Sequence, residues 1–201
     1  MTPLQLAQQG VSRDAAERTD RAAVCALLRG THKYAYFLSH YQRNGGAQMQ
    51  SLKEFLEKRG LTCWLDKNET PNLEGMMQGI ADSAVFLLYL TRGVLKRDWC
   101  RVELRRALEL GKPILLLAET EDNRLFYSDD DPKNPCRAAA SIDEFKKEDE
   151  SQEFLPVFNK CVAVTAQFHG VKAYQDTMVD LVVDSERHAF VVPGAWGVKA
   201  N

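Results

Sequence analysis

The sequence predicts an α/β domain built around a parallel β-sheet. Three observations predict it. Short apolar runs alternate with amphipathic segments between residues 34 and 117. Two of these runs are continuously apolar, as in strands that are covered on both faces. A chain of 201 residues with 45% hydrophobic and 27% charged residues has the composition of one globular domain with appendages.

The first half of the domain alternates strands with helices. We predict strands at 34–38, 61–65, 84–90 and 114–117. After the first strand comes a polar segment at 39–46, and the helix behind it ends at Gly60. A loop at 67–72 separates the second strand from the second helix. Asp98 is the expected N-cap of the third helix, which ends before Gly111 and Pro113. Apolar residues at helical spacing define the three helices: Met49, Leu52, Phe55 and Leu56; Leu73, Met76, Met77 and Ile80; Val102, Leu104, Ala107 and Leu108.

The second half begins with a strongly acidic segment. Residues 119–153 hold 12 acidic and 5 basic side chains, a balance of -7, and we expect a solvated insertion with a short helix around 142–147. A functional acidic segment is the alternative. A fifth strand is predicted at 162–164 and a last helix at 173–183. The expected organisation is a helical or flexible leader at 1–32, a domain at 33–188 and a tail at 189–201.

The order of these elements favours a flavodoxin-like, three-layer fold with a five-stranded parallel sheet. Right-handed crossovers give the strand order 2-1-3-4-5. Ligands of such folds bind at the carboxyl ends of the strands, where the strand order reverses. Three segments meet there in the predicted topology: 39–46, 66–72 and 91–98.

Composition and motifs exclude several classes of protein. The 26 basic and 28 acidic residues leave a net charge of -2, which argues against a nucleic-acid-coating protein. No membrane-spanning run or signal peptide is apparent, so a cytoplasmic protein is expected. The five cysteines and four histidines are scattered, and we expect no metal site and no disulfide scaffold. The sequence contains no GxGxxG, P-loop or GxSxG motif.

Four short motifs resemble a TIR (Toll/interleukin-1 receptor) domain. They are Phe37-Leu38-Ser39-His40 with Arg43-Asn44, Gly60-Leu61-Thr62-Cys63-Trp64-Leu65-Asp66, Asp98-Trp99-Cys100-Arg101-Val102-Glu103-Leu104, and Gly111-Lys112-Pro113-Ile114. The resemblance implies the flavodoxin-like fold expected from the pattern. TIR domains either self-associate as adaptors in immune signalling or cleave NAD between nicotinamide and ribose, to ADP-ribose or a cyclic product.

The enzymatic branch of this family uses a glutamate four residues after a tryptophan, a spacing that Trp99 and Glu103 have here. The two residues are i and i+4, so they share one face of the predicted helix. A carboxylate there can stabilise an oxocarbenium-like ribose or hold its hydroxyl groups. The resemblance implies NAD as substrate rather than cofactor. It also implies substrate contacts from Ser39, Tyr41, Arg43, Asp66 and Trp99, with Arg43 facing the diphosphate, and contacts to another subunit from Lys67, Asn68 and Leu73.

Simpler roles are possible for each residue. A glutamate early in a helix is usually a partner of the helix dipole, and a tryptophan usually packs. Ser39 and Asp66 would then stabilise turns, His40 would bond a neighbouring loop, and Arg43 would pair with a surface carboxylate. Two other functions compete with NAD cleavage: an adaptor that binds other TIR domains without turnover, and a sensor that holds NAD without cleaving it.

Overall fold

The computed structural model describes residues 13–65, 72–119, 125–126, 136–137, 142–160, 164–166 and 172–192. The strands are β1 (Tyr34–Ser39), β2 (Cys63–Trp64), β3 (Ser83–Leu90), β4 (Ile114–Glu119), β5 (Leu125–Phe126), β6 (Cys136–Arg137) and β7 (Val164–Ala166). The helices are α1 (Arg13–Arg29), α2 (Gln42–Lys58), α3 (Leu73–Asp82), α4 (Asp98–Glu109), α5 (Ile142–Glu148), α6 (Leu155–Lys160) and α7 (Lys172–Ser185). Two 3₁₀ turns lie at Val94–Lys96 and Glu186–His188. Among these helices, none is long and apolar enough to span a lipid bilayer.

The α/β class and the parallel sheet are confirmed. The strand order of the main sheet is β2-β1-β3-β4-β7, and each neighbouring pair is parallel. β1 and β3 are adjacent, and the chain order reverses there, which opens a crevice at the carboxyl ends of these strands. β5 and β6 form a separate antiparallel pair within the acidic segment, which the sequence did not predict.

Alternation of side chains along the strands divides the core into two layers. Tyr36 and Leu38 point to the layer formed by α1, α2 and α7, whereas Phe37 points to the layer formed by α3, α4, α5 and α6. In the second layer the ring of Phe37 stacks on those of Trp64 and Phe86, at centroid distances of 4.5 and 5.3 Å. All eight residues of β3 are buried, which explains its continuously apolar sequence.

Helix α2 starts earlier than the apolar periodicity indicated. It begins at Gln42, so most of the polar segment predicted at 39–46 is helical. Asn44 and Gly45 are buried in its first turns although both have low helix propensity. A Cβ atom on Gly45 would lie 2.7 Å from Cδ1 of Tyr89, so the absence of a side chain lets α2 approach β3. Tertiary packing therefore determines this helix start.

The start of α4 also differs from the prediction. Arg97, not Asp98, is the N-cap residue, and its side chain makes no capping hydrogen bond. Asp98 is the first helical residue, where a carboxylate interacts favourably with the helix dipole. The preceding 3₁₀ turn begins at Gly93, whose φ of 83° is in the left-handed region. Gly111, with φ 65°, follows the helix as predicted.

The predicted leader and tail segments both contribute to the core. Cys25 and Leu28 of α1 are buried. The guanidinium of Arg29 forms an ion pair with Glu186, whose Oε1 also accepts a hydrogen bond from Tyr36 Oη at 2.5 Å. Two more core residues come from the end of the chain, where Phe190 forms a β-bridge with Ile114 and Ala189 is buried. Both ends of the described chain therefore pack against the same sheet.

Part of the predicted acidic insertion packs into the core. The predicted short helix is present as α5, but Phe145 is buried in the core, and Asp149 is buried as well. Asp149 Oδ2 accepts the backbone N–H of Phe154 at 2.7 Å, and Phe154 is also a core residue. The acidic composition of the segment gave no indication of these buried apolar residues, because a count of charged residues does not show which side of a short helix is buried.

Candidate functional site

The candidate site lies where β1 ends and α4 begins. Ser39 is the last residue of β1 and pairs with Leu88 of β3, so it stands at the carboxyl edge of the sheet. The chain leaves β3 at Leu90, makes the 3₁₀ turn and enters α4 at Asp98. This path brings the first turns of α4 next to the end of β1. The site therefore occupies the crevice where ligands of doubly wound folds bind.

A buried serine–carboxylate pair forms the centre of the site. Ser39 Oγ donates a hydrogen bond to Glu103 Oε2 at 2.6 Å. Ser39 is 1% exposed and Glu103 8% exposed, so both belong to the interior of the crevice rather than to the outer surface of the helix. A hydrogen bond to an ionised carboxylate is stronger than one between neutral groups and fixes the orientation of the acceptor. The pair joins α4 directly to β1 across 64 residues of sequence.

Cys100 adds a second link between α4 and the end of β1. Its thiol donates to the carbonyl oxygen of His40 at 3.4 Å, and the residue is 4% exposed. Burial raises the pKa of the Cys100 thiol, and the neighbouring Glu103 carboxylate raises it further. The neutral thiol is thus an anchor for the helix rather than a nucleophile.

Tyr41 and Arg97 lie side by side at the mouth of the crevice. The guanidinium of Arg97 is 4.7 Å from the centroid of the Tyr41 ring, a cation–π distance. Asn44 links the first turn of α2 to the same loop, since its Nδ2 donates to the carbonyl oxygen of Arg92 at 3.0 Å. The residues that follow β1 are therefore tied to the loop that precedes α4.

The other predicted site residues are distributed around this centre. Trp99, in the first turn of α4, is 42% exposed, so much of its indole faces solvent. Arg43 is exposed in the first turn of α2. Leu73 begins α3 and is 49% exposed. Three further predictions, Asp66, Lys67 and Asn68, lie outside the residues that the structure describes.

Two residues that sequence reasoning missed belong to the site. Cys100 was part of the TIR-like motif and one of five scattered cysteines, but no role was assigned to it, although its place between Trp99 and Glu103 was a usable signal. Arg97 gave no signal, because its contact with Tyr41 depends on two loops that are 56 positions apart. The ring nitrogens of His40 lie close to its sequence neighbours, with Nε2 2.7 Å from Gln42 Oε1 and Nδ1 3.3 Å from the Leu38 carbonyl oxygen.

The arrangement can present an oriented carboxylate to a polar ligand. One carboxylate oxygen of Glu103 accepts from Ser39, and a carboxylate has further lone pairs for the hydroxyl groups of a ligand. The indole of Trp99 and the guanidinium of Arg97, which lies over the Tyr41 ring, are at the same edge of the sheet. Within the described ranges, no group of three or more His, Cys, Asp or Glu residues is placed to hold a metal ion.

Comparison with known proteins relates these residues to one family. The family model described as TIR domain matches residues 37–155, more than half of the chain, and this range includes Ser39, Trp99 and Glu103. One matching solved structure is the TIR domain of the Toll-related receptor TRR-2 from Hydra magnipapillata, with 17% identity, a TM-score of 0.38, and coverage of 63% of this chain and 92% of that chain. Another is the TIR domains of the activated Roq1 resistosome recognizing the pathogen effector XopQ, with 13% identity, a TM-score of 0.42, and coverage of 73% and 81%. No curated protein matches the chain.

Proposed function

Because the chain belongs to the TIR domain family, we propose that it is an NAD⁺ nucleosidase in immune or cell-death signalling, with Glu103 as its catalytic carboxylate and self-association as its activating step. The observation that carries the proposal is the burial of Glu103 in the crevice, with its carboxylate held by Ser39 at 2.6 Å. A carboxylate that merely complements a helix dipole would face solvent, as Asp98 in the first turn of the same helix does.

The proposed reaction breaks the bond between C1′ of the ribose and the nicotinamide nitrogen. The bonding electron pair leaves with nicotinamide, which becomes neutral, and positive charge develops on the ribose ring as an oxocarbenium-like species. Water then attacks C1′ and loses a proton, giving ADP-ribose. Attack by a nitrogen of the adenine ring in place of water gives a cyclic product.

Glu103 would act on the developing positive charge. A preoriented carboxylate stabilises the oxocarbenium-like transition state more than the ground state, and it can also hold the ribose hydroxyls. Trp99 offers a flat apolar surface to the nicotinamide or ribose ring. Tyr41 and Arg43 are proposed to contact the substrate, and the exposed guanidinium of Arg43 is suited to the diphosphate. Ser39 orients the carboxylate and in this role does not need to touch substrate.

Self-association is the proposed activating step because members of this family associate with one another. Leu73 and Trp99 expose large apolar side chains at the starts of α3 and α4, both at the carboxyl edge of the sheet. Lys67 and Asn68 precede α3 in the sequence and are proposed to contact the neighbouring subunit together with Leu73. Activity per molecule should therefore rise with protein concentration.

The test is nicotinamide release from NAD⁺ by the purified chain and its variants. Glu103→Gln removes the negative charge at nearly constant shape and is expected to lower kcat by roughly 10²-fold or more, since electrostatic stabilisation of a transition state is worth that much. Glu109→Gln is the matched control, because this residue is exposed on the same helix and should be silent. Full activity of Glu103→Gln would refute the assignment.

A non-catalytic adaptor is the second candidate, and the exposed side chains of Leu73 and Trp99 favour it. Such an adaptor would bind other TIR domains and release no nicotinamide at any protein concentration. Leu73→Asp would then abolish association, whereas Glu103→Gln would leave association intact. Measuring both association and nicotinamide release separates the two candidates.

A further inference from the structure

A second set of contacts holds helix α4 from the side opposite to Ser39. Arg101 precedes Glu103 by two residues, so their side chains point about 200° apart around the helix. Arg101 faces the end of the acidic segment, residues 148–153, which we call the acidic brace. The brace begins at the last residue of α5 and is flanked by two core residues, Phe145 and Phe154. It is therefore rigidly attached to the fold and can restrain α4.

Arg101 is the central residue of these contacts. Its Nη1 donates to Asp149 Oδ1 at 3.2 Å, and its Nη2 donates to Ser151 Oγ at 2.6 Å and Glu153 Oε2 at 3.2 Å. Nη1 also lies 3.4 Å from the Leu95 carbonyl oxygen in the turn that precedes α4. One planar guanidinium thus joins the helix, the preceding turn and the brace. An ammonium group on a flexible stem cannot reproduce this set of contacts.

Two flanking contacts strengthen the attachment. Arg105, one turn after Arg101, makes a bidentate ion pair with Glu153, with Nε to Oε1 at 2.6 Å and Nη2 to Oε2 at 2.8 Å. Asp149 is 1% exposed, and its Oδ2 accepts the backbone N–H of Phe154 at 2.7 Å, so the carboxylate that Arg101 meets is itself immobilised.

Glu148 restrains the turn before the helix. Its Oε1 accepts the backbone N–H of Gly93 at 2.9 Å. Gly93 has a φ of 83° and starts the 3₁₀ turn Val94–Lys96, which leads directly into α4. The backbone path into α4 is therefore fixed by a side chain that is 55 positions away in the sequence.

We propose that Arg101 and Glu148 are positioning residues that hold α4 and its preceding turn against the acidic brace, and thereby keep the carboxylate of Glu103 in its place against Ser39. The inference rests on the proposed function only in naming Glu103 as the catalytic carboxylate. Arg101 points away from the crevice, and Glu148 binds the backbone N–H of Gly93 at the start of the turn, so both act through α4. Loss of either contact lets the first turns of α4 open locally while the rest of the domain stays folded.

Alkylation of Cys100 measures this opening without any enzyme assay. The thiol is 4% exposed between Trp99 and Glu103, and it reacts only when the start of α4 leaves the end of β1. Cys25 is the internal control, because it is fully buried in α1 on the other face of the sheet and reports opening elsewhere. The labelling rate of each thiol is read by peptide mass spectrometry on the intact folded chain.

Four variants test the proposal. Glu148→Ala and Arg101→Lys are expected to raise the rate of Cys100 labelling by about tenfold, the effect of losing one or two hydrogen bonds to a charged group, with Cys25 labelling unchanged. Glu148→Gln keeps an acceptor oxygen for the N–H of Gly93, so its rate of Cys100 labelling should remain within about twofold of the wild-type rate. Glu150→Ala is the matched control, because this carboxylate is exposed within the same segment.

Kinetics completes the test. Under conditions in which the variants are folded, Glu148→Ala and Arg101→Lys should lower kcat for nicotinamide release by about tenfold and leave KM within about twofold, because a small displacement of the Glu103 carboxylate weakens transition-state stabilisation more than substrate binding. Equal increases at both thiols, unchanged Cys100 labelling or an unchanged kcat would overturn the proposal. If wild type releases no nicotinamide, the proposed function fails, and the labelling of Cys100 still decides whether the brace holds α4.

Discussion

Replacing Ser39 with alanine removes the hydrogen bond that joins β1 to Glu103. Both residues are buried, so no solvent is available to replace the lost donor. A hydrogen bond to an ionised group contributes about 1.5–3 kcal/mol to folding, more than the 0.5–1.5 kcal/mol of a neutral pair. For a chain of this length, we expect the melting temperature to fall by roughly 3–12 °C.

The chain offers a matched control for this change. Ser83 is also a buried strand residue, and its Oγ donates to a neutral acceptor, the Gly79 carbonyl oxygen, at 2.7 Å. Ser83→Ala creates the same small cavity at the opposite edge of the sheet. It should therefore destabilise the chain less than Ser39→Ala and leave nicotinamide release unchanged.

The assays are urea denaturation, which gives the free energy of unfolding, and the kinetics of nicotinamide release for both variants. Ser39→Ala is expected to lower kcat by about tenfold at a temperature where it is folded, because a misoriented carboxylate no longer meets the charge that develops on the ribose. Equal loss of stability in the two variants, together with equal activity, would refute the reasoning.

Further predictions concern buried ionisable groups. Tyr36→Phe removes the donor to the buried carboxylate of Glu186 and should lower the free energy of unfolding by about 1.5–3 kcal/mol, measured by urea denaturation. Burial raises the pKa of Glu148, so the folded state binds this proton more tightly than the unfolded chain, for which the pKa is about 4.3. Its contribution to stability is fully present below that value and is lost as the pH rises through the folded pKa. The free energy of unfolding of wild type, compared with Glu148→Gln at each pH, should therefore decrease as the pH rises above about 4.3. Burial also raises the pKa of Cys63 to about 12, so this thiol should react with iodoacetamide far more slowly at pH 8 than an exposed thiol does.

The local sequence pattern was sufficient to predict the regular strands and helices. The 2.0 period of strands and the 3.6 period of helices depend on neighbouring residues only, so the alternation of β1, α2, β2, α3, β3, α4 and β4 could be read in order. The same argument located the crevice, since topology rules place the ends of parallel strands at one edge. Ser39 and Glu103 were proposed as site residues from the resemblance to TIR domains, joined to this topology rule.

The boundaries of the helices and the partners of the side chains could be determined only from the folded structure. Helix α2 starts at Gln42 because Gly45 fits against Tyr89, a contact that no helix propensity contains. The N-cap of α4 is Arg97 rather than the predicted Asp98, because the turn that begins at Gly93 sets the direction in which the chain enters the helix.

The sequence by itself determined the alternating architecture, the sheet edge at which a site can form, and the spacing that puts Trp99 and Glu103 on one helix. Only the tertiary structure decided that Glu103 is buried against Ser39 while Trp99 stays exposed. It also decided that an acidic segment restrains α4 through Arg101. The physical reason is that periodicity is set by backbone geometry over a few residues. A hydrogen bond between distant positions exists only when the whole sheet and its helices have packed.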